Sequence, residues 1–207
     1  MKTKSNYKTL FTIFLVSTLL LVLPAWSFGA SLGLNTGLPT LKSSAAFIDY
    51  LEFGPDGDLS TFGAEVDFVD GVSPMGFTEL SFGVGFALAD PTVGATGGFD
   101  IFDDNGLFLG GDLFAVGFVE DVIELQFDQL IGNGAGNFGS SVLVQVMFDA
   151  PLGTNPFASL VDGNFYSASV RVLNVVDIST VPEPAVFPLL LSALVGTGWL
   201  RRRRFVS

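Results

Sequence analysis

Glu79-Leu80-Ser81-Phe82-Gly83-Val84-Gly85-Phe86-Ala87-Leu88 sets a bulky apolar side chain at every second position, with small or polar residues between. Successive side chains of a strand point to opposite faces, so this stretch carries one apolar face and one face of glycine, serine and acid. The same period recurs downstream. Ile123, Leu125 and Phe127 alternate with Glu124, Gln126 and Asp128. Val142, Val144, Val146 and Phe148 alternate with Ser141, Leu143, Gln145 and Met147. Residues 47–53, 62–69, 114–119 and 165–176 complete at least seven expected strands, and residues 31–180 contain no segment of convincing helical period.

Turn chemistry separates these runs. Gly54-Pro55-Asp56-Gly57, Asp70-Gly71, Asp104-Asn105-Gly106, Gly132-Asn133-Gly134 and Asp162-Gly163-Asn164 all supply residues that tolerate tight or left-handed backbone. Asn105-Gly106 between two apolar runs is the sharpest hairpin signal. Many short strands with Gly-rich turns predict an all-β body over residues 31–180, an antiparallel β-sandwich of jelly-roll-like form. A body of that length buries about 70% of its unfolded surface, and its 17 phenylalanines are read as that core. Gly132–Gly139 reads as a flexible loop; it lacks the Lys-Ser/Thr and strand–helix context of a phosphate cradle.

Composition removes most catalytic chemistry. The 207 residues include no Cys and no His, which excludes disulfide frameworks, zinc sites of the usual kinds and His-dependent triads. Charge is distributed unevenly. Seven of the nine basic residues lie at the two ends, and between residues 31 and 180 only Lys42 and Arg171 oppose twenty acids, a net of −18. Such a surface repels phosphate backbones, so nucleic acid is excluded as a partner.

Carboxylates remain the available site chemistry. A glycosidase needs two of them about 5–10 Å apart, one with a raised pKa, and no spacing in this sequence favours a pair. The body also lacks Trp, leaving Tyr50 and Tyr166 to stack on sugars, so no catalytic residue is assigned and the body is read as non-enzymatic. Calcium is the better chemical candidate: Asp56 with Asp58, and Asp100 with Asp103 and Asp104, offer hard oxygens near turns. The competing explanation is conformational, because Asp and Asn occupy turns without any ligand.

The ends carry localisation. Residues 1–30 show three lysines (Lys2, Lys4, Lys8), an apolar run from Thr9 to Leu23, then Pro24 and small residues, with cleavage expected after Ser27, Gly29 or Ala30. This is the order of a secretory signal peptide, handled by the general secretion machinery and signal peptidase. At the other end Pro182-Glu183-Pro184 precedes a 16-residue apolar run, Ala185–Leu200, and then Arg201, Arg202, Arg203 and Arg204. Two prolines keep the tripeptide extended, the apolar run is a single transmembrane helix, and the arginines stay cytoplasmic. With the N-terminus exported, both ends give the same orientation across the inner membrane.

This tripartite tail, residues 181–207, closely resembles the PEP-CTERM sorting signal. The resemblance implies that Pro182, Glu183 and Pro184 are recognised by an exosortase and that Arg201–Arg204 form a cytoplasmic stop. It implies a protein of Gram-negative bacteria that make exopolysaccharide and biofilm, held transiently in the inner membrane and then at the cell surface or outside. The expected function is thus an exosortase-processed surface or matrix protein, associated with exopolysaccharide. The alternatives are a glycan- or calcium-binding module, which needs Tyr50 or Tyr166 exposed in a concave site, and a carboxylate hydrolase, which needs a cleft with two close acids.

Overall fold

Leu80, Phe82, Val84 and Phe86 are all buried in β4 (Glu79–Ala87), and the residues between them are not. The other strands repeat this arrangement around a common interior. The computed structural model describes residues 31–176 and contains, besides β4, β1 (Thr36–Phe53), β2 (Asp56–Glu65), β3 (Phe68–Asp70), β5 (Thr96–Asp103), β6 (Gly106–Val119), β7 (Val122–Ile131), β8 (Val142–Phe148) and β9 (Asn164–Val175). Single 3₁₀ turns lie at Ala135–Asn137 and Pro156–Ser159. The expected signal peptide, the sorting tail and residues 177–180 of the expected body lie outside the described residues.

Every strand pairing is antiparallel, so the all-β antiparallel reading holds. The sandwich reading does not. The strands form one continuous sheet in the order β2-β4-β5-β6-β7-β8-β9-β1, and a further β1–β2 ladder joins its ends. The result is an eight-stranded up-and-down barrel, with β3 added beside β1. A jelly roll needs crossovers between two sheets, whereas here each strand except β3 lies beside its sequence neighbour. Period-two alternation reports one buried face, which a sandwich and a barrel share; closure depends on which edges meet.

The seam that closes the barrel is irregular. β1 pairs with β2 at Asp49–Phe53, separates, and pairs with β3 at Thr40–Lys42. The expected strand at 62–69 therefore spans the end of β2, a break at residues 66–67 and the first two residues of β3. The Thr61 hydroxyl donates to the Phe47 carbonyl at 2.8 Å across the separated stretch. On its other edge β1 pairs with β9 along most of its length, with shifts at Gly37/Thr40 and Ser43/Ala46. Beyond that ladder the Val176 amide donates to the Asn35 carbonyl at 2.8 Å.

Inward positions fill the interior with Leu41, Ile48, Leu59, Val84, Phe99, Ile101, Leu125, Phe127, Val144 and Val170, none more than 2% exposed. Phe99 and Phe127 meet at 4.7 Å between ring centroids. Phe157, on the 3₁₀ turn, closes one end by packing edge-on against Phe86 and Phe118. Eight strands leave room for side chains or one small ligand, and here side chains occupy it. Outward positions include Glu79, Ser81, Asp100, Asp112, Glu124 and Gln126, and the apolar interior contrasts with the polar lumen of a membrane-spanning barrel. No helix among the described residues is long and apolar enough to cross a membrane.

Two expectations about composition change. Nine of the body's 17 phenylalanines are buried, whereas Phe47, Phe53, Phe62, Phe68, Phe77, Phe102, Phe114 and Phe165 are exposed. The Gly132–Gly139 segment is pinned to β6. Asn133 and Gly134 amides donate to the Leu107 and Phe108 carbonyls at 3.0 and 2.7 Å, and Gly134 lies so close to the Phe108 ring that no Cβ would fit.

Candidate functional site

The five aspartates expected to bind calcium divide between different parts of the wall. Asp56 and Asp58 lie on β2, while Asp100, Asp103 and Asp104 lie on β5 and the β5–β6 hairpin, two strands away across β4. No group of three or more acids placed to hold a metal occurs among the described residues. Asp103 accepts the Met75 amide through one carboxylate oxygen at 2.9 Å and the Asn105 amide through the other at 2.8 Å. The Asp104 amide donates to the Met75 carbonyl at 2.9 Å, so these two residues tie the loop before β4 to the hairpin. Asp58 stands diagonally from Asp49 on the outer face, because Asp49 pairs with Ser60 and Leu51 with Asp58. Partial burial and then the Asp49 charge push the Asp58 carboxyl above its ordinary pKa, against a smaller opposing effect of its Ser60 hydrogen bond.

Tyr50 is not exposed, and Tyr166 is only partly so. Tyr50 is buried, stacks on Phe86 at 6.3 Å and donates to the Glu52 carboxylate at 3.0 Å. Burial and that carboxylate hold its phenol well above the usual pKa, so it stays protonated. Tyr166 is half-buried, edge-on to Phe148 at 5.8 Å, and its hydroxyl accepts the Val161 amide at 2.7 Å. Both rings belong to the packing of one barrel region.

Cross-strand registration also brings carboxylates together. Asp112 on β6 is paired with Asp128 on β7, and Asp112 faces Gly98 on β5. A shallow cavity of about 270 Å³ there is lined by Gly98, Asp100, Gly111, Asp112, Gln129 and Ile131. Glu124, four residues before Asp128 on β7, is buried under residues 31–32: its carboxylate accepts the Ser31 hydroxyl at 3.0 Å and the Leu32 amide at 2.8 Å. That contact straps the start of the body onto the barrel wall.

A second concavity is on the opposite part of the wall, over β9, β1 and β3. It measures about 620 Å³ and is lined by Thr40, Lys42, Ser44, Asp67, Phe68, Arg171 and Leu173. The sheet register builds it. Lys42 is directly opposite Arg171 on β9 and directly opposite Phe68 on β3. Lys42 lies between buried Leu41 and Ser43, and Arg171 between buried Val170 and Val172, so both cations point outward. No family model, curated protein or solved structure matches this chain. The reading of the groove therefore rests on its own chemistry.

Asp67 fixes one rim of it. Its two carboxylate oxygens accept the Ser44 amide at 3.2 Å and the Ser44 hydroxyl at 3.1 Å, and its amide donates to the Lys42 carbonyl at 3.0 Å. Among the described residues, neither Lys42 nor Arg171 has a carboxylate within ion-pair distance or a side-chain hydrogen bond. Like charges directly opposite each other on one sheet face are destabilising. Composition marks Lys42 and Arg171 as the body's two cations, but 129 positions separate them and only the β1–β9 register makes them neighbours.

Proposed function

We propose that this chain is an exported protein, processed by an exosortase at Pro182-Glu183-Pro184, whose body is a non-enzymatic β-barrel of the cell surface or extracellular matrix. The observation that carries this reading is the tail: tripeptide, apolar run and arginine cluster follow one another in order. The body is consistent with it. Its interior is filled by side chains, its wall carries outward acids, small residues and exposed phenylalanines, and β9 ends at Val175, seven positions before Pro182. Signal peptidase removes the N-terminal leader, the apolar run holds the protein in the inner membrane, and the exosortase then cuts in the extended tripeptide region. The product is the barrel at the cell surface or in exopolysaccharide-rich matrix.

Intact-mass measurement of the exported protein from a host with an exosortase tests this. The mature chain is expected to begin between residues 28 and 31 and to lack Arg201–Arg204. Glu183→Ala, or alanine at both Pro182 and Pro184, is expected to leave the protein membrane-held. Intact arginines on extracellular material, or unchanged processing of those variants, would reduce the tail to a plain anchor.

A further inference from the structure

We infer that the groove over β9, β1 and β3 binds a sugar carrying one carboxylate, a uronic-acid residue within an otherwise neutral or sparsely charged glycan. This goes beyond the sorting reading and does not depend on the tail.

Three features define the ligand. Lys42 and Arg171 stand side by side across the β1–β9 ladder, and among the described residues neither has a carboxylate within 4.0 Å. Both side chains carry only donors, and together they suit a carboxylate, which accepts through two oxygens. Next in the same cross-strand row comes Phe68, 51% exposed, whose ring gives an apolar platform beside the cations. Asp67 and the Ser44 and Thr40 hydroxyls supply acceptors on the rim, which suits a partner that brings hydroxyl donors. A small inorganic anion would use the cations and leave the ring and the acceptors idle. An acidic peptide or a densely charged polyanion would meet Asp67 and the strongly acidic wall. A pyranose with one carboxylate and several hydroxyls uses all three features.

The volume agrees with this class. About 620 Å³ accommodates one to two sugar rings in an open groove along the wall. The irregular seam makes the groove: β3 pairs with only three residues of β1, so Phe68 stands beside Lys42 as a short side wall.

The test uses the full-length chain in a non-ionic detergent and a hyaluronan tetrasaccharide, in which glucuronate alternates with a neutral sugar. Calorimetric titration at low salt is expected to show saturable binding that weakens as salt rises and the screening length shortens. Lys42→Gln and Arg171→Gln are each expected to weaken it about tenfold or more, since each removes a charged hydrogen bond. Phe68→Ala is expected to weaken it by about threefold through the lost platform. Lys42→Arg keeps the charge and is expected to retain binding. Arg171→Gln also relieves the like-charge pair, so its melting temperature is expected to be no lower than that of the parent. Chitotetraose, which is neutral, is expected not to bind. Binding that survives both glutamine variants, equal binding of chitotetraose, or equal binding of inorganic sulfate would overturn the assignment. The last result would mean a simple anion site, with no part played by the ring and the acceptors.

Discussion

Replacing Phe127 by Ala tests whether the barrel is a packed core or an open container. Phe127 is fully buried on β7, and its ring meets Phe99 of β5 at 4.7 Å with a 53° tilt. A buried phenylalanine removes on the order of 150 Å² from water, and at about 25 cal/mol per Å² this gives about 4 kcal/mol. Loss of the ring pair adds about 1 kcal/mol. The neighbours are strand-borne and cannot collapse far, so a cavity remains and the total stays at the upper end of about 3–5 kcal/mol. For a domain of this size each kcal/mol shifts the melting temperature by about 2–4 °C, so circular dichroism of the full chain in detergent is expected to show a drop of about 10–20 °C. Phe99→Ala is expected to match it. The double variant is expected to lose less than the two single losses combined, by about 1 kcal/mol, because the second change removes a ring whose partner has already gone. Phe114→Ala, at a position 66% exposed, is the control and is expected to stay within about 0.5 kcal/mol of the parent. A loss below about 1 kcal/mol at Phe127, or one equal to that at Phe114, would mean the interior is loosely filled and would refute the packed-core argument.

Three further outcomes follow from the geometry. Gly97→Ala places a Cβ 2.1 Å from the Gly83 carbonyl oxygen and 2.9 Å from the Val84 Cα on the neighbouring strand, so it is expected to cost several kcal/mol or to prevent folding. Gly83→Ala, with nothing within 4 Å of its Cβ, is expected to be neutral or to stabilise by about 0.5–1 kcal/mol; similar thermal shifts for the two variants would contradict the strand register. The raised pKa of Asp58 means that the folded state takes up this proton before the unfolded chain does. Its penalty is therefore complete at neutral pH and is relieved as pH falls through the folded-state value. Asp58→Asn is expected to stabilise the fold slightly at pH 7, by less than about 1 kcal/mol after allowance for solvent screening, with the gain closing in acid; a lower melting temperature for the variant at pH 7 would reverse the sign. Because the five candidate aspartates do not converge, millimolar calcium is expected to shift the melting temperature no more than a sodium salt of equal ionic strength. A larger calcium shift would restore a divalent site.

The strand content was legible wherever one face is buried and the other is not. Residues 79–88, 123–128 and 142–148 carry the alternation cleanly, and in each the expected face is the inward one. The Asn105-Gly106 signal marks the β5–β6 hairpin, and Gly54-Pro55 the β1–β2 turn. The first half of β1 escaped notice because two register shifts, at Gly37/Thr40 and Ser43/Ala46, break the period there. Barrel closure was not legible, since it depends on edges meeting far apart in sequence. Phe47, Phe62 and Phe165 misled for a related reason: residue type favours burial, but strand parity sends these rings outward. The groove was the least legible feature. Lys42 and Arg171 are isolated in sequence, and Phe68 lay within an expected strand whose break at residues 66–67 carries no clear signal.

The pairing of the first strand with the last has a mechanical consequence. Thr36 lies opposite Val175, so the chain enters and leaves the barrel side by side. A tension that separates those two ends acts across the ladder, along its hydrogen bonds, and opens the pairs one after another from Val176–Asn35 inward. The barrel is thus weak as a link stretched between its own termini. A load that enters through the wall and leaves by the C-terminus must instead slide β9 past both β1 and β8, straining many bonds together. A protein tethered by its tail and gripped on its outer face would resist pulling far better than one drawn out by both ends.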